Sequence, residues 1–177
     1  TFNENLLLDH LIKISESKEE KLFLLEKYLN NITTTVYRQV MFAEFESLTH
    51  SKAENGEALT PDVLCKLYKD VYQKYWGPEM KIDEEESYTW ARVPHFYYNF
   101  YVYQYATGFA ASEALALKVK SEGEPAVQKY LDFLKVGSSD YPINILDKAG
   151  VNMNSQEPIL AVTTKMNQII DEIENLI

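Results

Sequence analysis

Apolar residues recur at helical spacing along most of the chain, and turn-forming residues separate the helical stretches. Residues 3–14 carry apolar side chains so densely that we predict a largely buried helix there. Ser17 and Glu20 have the spacing of a capping box, which begins a long helical pattern that continues to Leu48. Residues 30–35 contain Asn and Thr, which are poor helix formers, so we predict a kink or a break at that point.

The same pattern continues through the rest of the chain. Thr60 and Pro61 predict the start of another helix, which Gly77 ends. Further helices are predicted over residues 96–121, 126–135 and 143–148, followed by a last amphipathic helix that Ser155 caps. No strand-like alternation and no fixed repeat is visible. We therefore predict an all-α fold, with residues 1–177 forming a single helical domain.

Charge and cysteine content narrow the possible functions. Seventeen basic and 27 acidic residues give a net charge of −10 without any basic cluster, so we expect no nucleic-acid partner. No apolar run approaches the ~20 residues of a membrane-spanning helix, so we expect no membrane partner. The lone Cys65 cannot form an internal disulfide, which fits a reducing compartment, and its leucine neighbours suggest an inert thiol.

The metal-ligating residue types do not form a recognisable site. The three histidines, His10, His50 and His95, are far apart, and no His-x-x-x-His pair occurs. The acidic run at residues 83–86 is typical of a solvated helix start, and a cation site is the alternative. We predict that this chain holds no metal of its own.

The most unusual stretch is rich in tyrosine. Seven of the ten residues from 96 to 105 are aromatic. On a continuous helix, one stripe would hold His95, Tyr98 and Tyr105 together with Val102, and Tyr101 would lie at its edge. Two interpretations remain open. Either the helix is buried on all sides, with its hydroxyls bonded to neighbours, or its polar side chains line a cleft as neutral donors to a developing oxyanion.

Residues 90–108 (WARVPHFYYNFYVYQYATG) resemble the signature near the carboxy-terminal end of oligoendopeptidase F proteins, which are zinc metallopeptidases related to thimet oligopeptidase. The resemblance continues over residues 123–126, 133–142 and 148–151, and upstream over residues 37–46 and 52–59. It covers essentially the whole chain.

The resemblance implies a cytoplasmic, zinc-dependent endopeptidase of short peptides with a nearly all-helical shell. In the family, a His-Glu-x-x-His helix and a glutamate of the next helix bind the zinc, and neither motif is present here. This chain would therefore be the carboxy-terminal part of the catalytic domain, with the zinc ligands upstream of it. Glu4 is similar to an acidic residue that supports a zinc ligand without binding the metal itself.

The resemblance also assigns roles to the tyrosine-rich stretch. His95 and Tyr105 would be catalytic, with Tyr105 donating to the oxyanion, and Tyr98 and Tyr101 would contact the substrate. The partners would be short peptides and the missing amino-terminal part, without which the chain would be inactive. We expect some leucine of residues 6–8 to face outward, which would favour self-association. A helical interaction module without enzymatic activity is the alternative, supported by the absence of the metal motif.

Overall fold

The computed structural model describes all 177 residues, which form helices and no β-strand. The α-helices are α1 (Phe2–Ile14), α2 (Lys18–Ile32), α3 (Arg38–Glu54), α4 (Pro61–Trp76), α5 (Tyr103–Glu122), α6 (Glu124–Lys135), α7 (Pro142–Lys148) and α8 (Glu157–Leu176). A π-helical segment spans Thr33–Tyr37, and 3₁₀-helices span Glu84–Arg92 and Pro94–Tyr98. The all-α prediction is confirmed. No helix is both long enough and apolar enough to cross a membrane.

Local capping residues set several helix ends as predicted. The Ser17 hydroxyl accepts a hydrogen bond from the backbone N–H of Glu20 at 3.1 Å, and Thr60 accepts one from Val63 at 3.4 Å. The predicted interruption lies at the π-helical segment between α2 and α3. There the Thr33 hydroxyl donates to the carbonyl of Leu29, a local bond that competes with regular helix geometry.

The chain forms two compact units. The first comprises Thr1–Thr33 and Thr107–Ile177, and the second comprises Thr34–Ala106. Each unit has its own buried apolar core. The description of residues 1–177 as a single domain stays a prediction.

In the first unit, α1 is less buried than its sequence predicts. Asn5 and Leu8 are its buried residues, whereas the side chain of Leu7 is 55% exposed. The prediction of a largely buried helix is wrong. Only the face of α1 that carries Asn5 and Leu8 is buried, and the other positions are partly or fully exposed. The exposure of Leu7 confirms that at least one leucine of residues 6–8 faces outward. Self-association stays a prediction.

Asn5 is buried because it belongs to a polar cluster around Glu113 of α5. The Asn5 amide and the Tyr28 hydroxyl both donate to Oε2 of Glu113, at 2.6 and 3.0 Å. Burial raises the pKa of Glu113 above its ordinary value, and the hydrogen bond from Tyr28 partly opposes this shift. The cluster satisfies polar groups that would otherwise destabilise the core.

In the second unit, α4 packs against both α3 and the 3₁₀-helix Glu84–Arg92 around a buried core. The core consists of Met41, Phe42, Phe45, Tyr68, Val71 and Val102. At the edge of this packing, the Glu44 carboxylate accepts hydrogen bonds from Lys74 at 2.6 Å and Tyr75 at 2.8 Å. Val102 and Phe96 of the tyrosine-rich segment pack with residues of α3 and α4 in this core.

The predicted helix over residues 96–121 is wrong in its first part. The 3₁₀-helix ends at Tyr98, and Asn99 and Phe100 then adopt positive φ angles of 43° and 56°. Two successive residues in this left-handed region cannot continue a right-handed helix. The α-helix begins only at Tyr103.

Candidate functional site

The tyrosine-rich segment turns back on itself. Val93 is extended, as expected for a residue before proline, and Pro94 begins the 3₁₀-helix that carries His95. The turn at Asn99–Phe100 then reverses the chain before α5 starts. As a result, side chains from both sides of the turn meet in one place.

Four aromatic side chains, His95, Tyr98, Tyr101 and Tyr105, form what we call the His95 cluster. The imidazole of His95 is stacked on the ring of Tyr101, with centroids 5.7 Å apart and an interplanar angle of 14°. The rings of Tyr105 and Tyr98 meet the imidazole edge-on, at centroid distances of 5.8 and 6.3 Å. These are the four residues that the sequence analysis selects, although they meet through a turn and not along a helical stripe.

The polar atoms of the cluster lie within hydrogen-bonding reach of one another. The Tyr105 hydroxyl is 3.3 Å from Nε2 of His95. A hydrogen bond with the Tyr101 hydroxyl raises the pKa of Tyr105 above its ordinary value, and desolvation adds to the shift. The Tyr105 phenol therefore keeps its proton at neutral pH and can act as an uncharged donor.

The exposure of the cluster argues against one interpretation of this segment, the helix buried on all sides. Tyr98 is 65% exposed, and Tyr101 and Tyr105 are each 38% exposed. By contrast, Val102 is 1% exposed and lies in the core of the second unit, so the predicted stripe does not hold as a single surface. In this chain the segment is not a helix buried on all sides. The interpretation as the lining of a cleft stays a prediction.

An open groove of about 560 Å³ borders the cluster within the second unit. His95 and Tyr105 are among its lining residues, and Arg38 and Arg92 contribute positive charge. Glu86, which also lines the groove, is within 3.5 Å of the Tyr68 hydroxyl. The sequence analysis missed these groove residues. Arg38 comes from α3, whereas Glu86 and Arg92 come from the 3₁₀-helix Glu84–Arg92, and the spacing between these two elements in the chain carries no signal of proximity.

A buried carboxylate was also missed. Glu46 of α3 is 2% exposed, and its Oε1 accepts a hydrogen bond from the backbone N–H of Phe100 at 2.8 Å. The ring of Phe100 also lies against His50, with centroids 4.4 Å apart. The turn that brings the His95 cluster together thus contacts α3 through one hydrogen bond and one ring contact.

The remaining predicted positions lie apart from this cluster in the chain. Glu4 is in the first turn of α1, in the first unit, and its side chain is 71% exposed. Asp83 precedes the 3₁₀-helix Glu84–Arg92, and the next three acids occupy its first turn, which confirms the interpretation as a helix start. The Trp90 indole N–H donates to Sγ of Cys65 at 3.4 Å, so this thiol has a structural contact. The role of Glu4 stays a prediction.

No group of three or more His, Cys, Asp or Glu side chains is arranged so that it could hold a metal ion. Structural zinc takes four such ligands and catalytic zinc takes three. The residues of this chain therefore do not fit a zinc site by themselves.

Comparisons with known proteins reveal close relatives. The sequence pattern of Peptidase family M3 matches residues 1–164. Oligopeptidase PepF of Bacillus subtilis is 50% identical over 177 residues, which are 100% of this chain and 26% of that protein. The plasmid-encoded oligoendopeptidase F of Lactococcus lactis is 45% identical, again over 100% of this chain, and 30% of its length is covered.

A solved structure is similar over nearly the whole chain. The crystal structure of oligoendopeptidase-F from Enterococcus faecium superposes with a TM-score of 0.95 at 40% sequence identity. The match covers 99% of this chain and 34% of that one. The chain thus spans about a quarter to a third of the length of the relatives that it matches.

Proposed function

This chain belongs to peptidase family M3, and on that premise we propose that it is part of a longer zinc-dependent endopeptidase that hydrolyses short peptides. We call that longer protein the parent protein. Its zinc ligands would lie outside these 177 residues, because no group of side chains here is arranged to bind a metal. The catalytic contribution of this chain would be to bind the peptide and stabilise the transition state.

The observation that carries the proposal is the contact between Tyr105 and His95. When a peptide bond is hydrolysed, the carbonyl oxygen becomes negatively charged in the tetrahedral intermediate. Two neutral donors aimed at this oxygen stabilise the intermediate more than the substrate, which raises kcat. The Tyr105 hydroxyl, which is protonated at neutral pH, would donate to this oxygen, and His95 donates when Nε2 carries the proton.

Tyr98 and Tyr101 have a different role in the proposal. Both are exposed beside His95, and each offers an aromatic face and a hydroxyl to an extended peptide. They would bind the substrate backbone equally before and during the reaction. The groove that His95 and Tyr105 help to line would hold the adjoining residues of the peptide.

The proposal also includes the setting of the enzyme. We propose that another part of the same protein completes the site, that the chain alone is inactive, and that Glu4 supports a zinc ligand from that part. The resemblance and the lone cysteine favour a cytoplasmic location. The alternative of an interaction module rests on the missing metal site, whereas family membership favours the peptidase.

The test uses a short quenched-fluorescent peptide with the parent protein, the isolated chain and a His95→Ala variant of the parent. We expect hydrolysis by the parent protein that a zinc chelator abolishes, none by the chain, and a kcat at least roughly 100-fold lower in His95→Ala. Elemental analysis of the purified chain should find no stoichiometric zinc. A parent protein that hydrolyses no peptide would favour the interaction module, and a fully active His95→Ala variant would remove the cluster from the cleft.

A further inference from the structure

We propose that Glu46 is a positioning residue whose buried carboxylate holds the Asn99–Phe100 turn, and thereby the two halves of the His95 cluster, in their reactive arrangement. The inference rests on the proposed function, because the cluster must act on substrate for its geometry to affect the rate. Glu46 itself lies in the core and would not touch the peptide.

The surroundings of Glu46 do not explain a carboxylate at this position. The residue is 2% exposed on α3 beside the core residues Phe42 and Phe45. Its Oε2 is buried without any hydrogen-bond partner. Burying a carboxylate is unfavourable unless its oxygens are bonded, so an apolar side chain would serve the core better. The hydrogen bond that the Phe100 N–H donates to Oε1 is the contact that requires an acceptor at this position.

That bond acts on an unusual piece of backbone. Asn99 and Phe100 both have φ angles in the left-handed region, which is unfavourable for residues other than glycine. A hydrogen bond made away from water is electrostatically stronger than one in solvent, so the buried Glu46 oxygen holds the Phe100 N–H more firmly than water would. The contact of the Phe100 ring with His50 fastens the same turn to α3 a second time. Glu46 therefore stabilises a conformation that the local sequence does not favour.

The turn lies between the two halves of the candidate site. His95 and Tyr98 precede it, whereas Tyr101 and Tyr105 follow it. The stacking of His95 on Tyr101 and the 3.3 Å approach of Tyr105 to His95 both depend on how far the turn reverses the chain. A displacement of about 1 Å in catalytic groups can lower a rate on the order of 100-fold, so loosening the turn should be seen in kcat.

The experiment compares three variants of the parent protein. Glu46→Met replaces the hydrogen-bond acceptor with an apolar side chain of similar length. We expect kcat to fall roughly 10-fold or more with KM changed less than about threefold. Glu46→Gln keeps a carbonyl acceptor for Phe100 and should retain most of kcat. Glu44→Met is the matched control. Glu44 lies two positions before Glu46 on α3, and the substitution removes its hydrogen bonds with Lys74 and Tyr75 of α4. We expect kcat to stay within about twofold.

A second measurement reports on the turn without using activity. Hydrogen–deuterium exchange of the parent protein should show faster exchange at the Phe100 amide in Glu46→Met, and unchanged exchange in Glu46→Gln and Glu44→Met. If Glu46→Met does not fold, His50→Ala loosens the same turn from its ring side and should give faster exchange with a reduced kcat.

The outcomes separate this inference from the proposed function. If Tyr105→Phe lowers kcat but Glu46→Met leaves both kcat and exchange unchanged, the inference is wrong and the function stands. Equal losses of kcat in Glu46→Met, Glu46→Gln and Glu44→Met would also overturn the inference, since they would indicate general destabilisation. If exchange responds as expected while neither Tyr105→Phe nor Glu46→Met affects hydrolysis, the proposed function fails, and with it the catalytic part of the inference.

Discussion

The hydroxyl of Tyr105 lies 3.3 Å from Nε2 of His95, although ten positions separate the two residues in the chain. On a continuous α-helix the same separation would be about 15 Å along the axis. The turn at Asn99–Phe100 brings the two side chains together. Their contact is a tertiary one, and its effect on catalysis can be tested residue by residue.

Tyr105→Phe in the parent protein removes one hydroxyl and almost no volume, so the fold should be retained. We expect kcat for a short quenched-fluorescent peptide to fall by roughly 100-fold or more, with a much smaller change in KM, because the donor acts mainly on the oxyanion. Tyr97→Phe is the control, since Tyr97 is 80% exposed in the same segment and outside the cluster. Equally small effects of both substitutions would contradict the assignment.

Tyr98→Phe should raise KM with little change in kcat, because its hydroxyl would bind the substrate equally in the ground and transition states. A loss confined to kcat would contradict this role.

Tyr101→Phe tests the hydrogen bond that raises the pKa of Tyr105. Without it, the pKa of Tyr105 should return toward its ordinary value of 10.0. The phenol would then lose its proton at lower pH than in the wild type. We therefore expect the alkaline inflection of the kcat profile to move to lower pH, together with a raised KM. An inflection that does not move in Tyr101→Phe would contradict a donor role for Tyr105.

Asp140 provides a test of stability at low pH. Its carboxylate accepts hydrogen bonds from Lys148, Asn144 and the N–H of Tyr141, and these lower its pKa to about 2 from the ordinary 3.8. A depressed pKa contributes stability above about pH 4 that is lost as the pH falls toward 2. Asp140→Asn should therefore unfold at lower urea concentration than the wild-type chain above pH 4, and the difference should vanish near pH 2.

Asp147→Asn, at an exposed position on the α7 helix that follows Asp140, is the control for this pH dependence. The two chains, wild type and Asp140→Asn, should be compared by urea unfolding across this pH range. A constant difference between them at every pH would show that packing, and not charge, is responsible.

Glu113→Gln tests the buried polar cluster of the first unit. Because burial raises the pKa of Glu113, the folded state binds its proton more tightly than the unfolded state, and stability decreases as the pH rises through the raised pKa. Glutamine keeps an acceptor for Asn5 and Tyr28 and carries no charge. The variant should be more stable than the wild type at pH 8, and this advantage should disappear below the ordinary value of 4.5.

Glu113→Ala is the matched control for the hydrogen bonds. It leaves the Asn5 and Tyr28 donors buried without an acceptor, so the free energy of unfolding should fall on the order of 3 kcal/mol well below pH 4.5, where the wild-type carboxyl is protonated, and by less at pH 8. If Glu113→Gln destabilises the chain more at pH 8 than at pH 4.5, the charged form of Glu113 contributes more than its burial costs, and the prediction is wrong.

The sequence alone predicts features whose causes are local. The caps at Ser17 and Thr60 and the break at Thr33–Tyr37 each depend on residues within one or two turns, so short patterns reveal them. The helix predicted from residue 96 is interrupted at Asn99–Phe100, where the backbone is hydrogen-bonded to Glu46, 54 positions away in the chain. The periodicity of apolar residues along the chain carries no information about such a long-range hydrogen bond.

In the candidate site, too, the residue types can be read from the sequence, whereas their spatial arrangement cannot. The resemblance pointed to His95 and the tyrosines by their residue types, and these side chains do meet. The prediction that these side chains share one helical stripe is wrong, because the turn at Asn99–Phe100 interrupts the helix. Arg38 and Arg92 of the groove come from different elements, so only the folded chain shows that they border the same space. The catalytic roles themselves stay predictions.

The bond between Glu46 and Phe100 also has an evolutionary consequence. Glycine adopts a positive φ without a steric cost, so a relative with glycine in the turn can keep the same backbone without a buried acceptor. A relative with bulky residues there needs an acceptor on α3. Positions 46, 99 and 100 should therefore covary across the family, with Glu or Gln at 46 lost mainly in lineages where the turn has gained glycine.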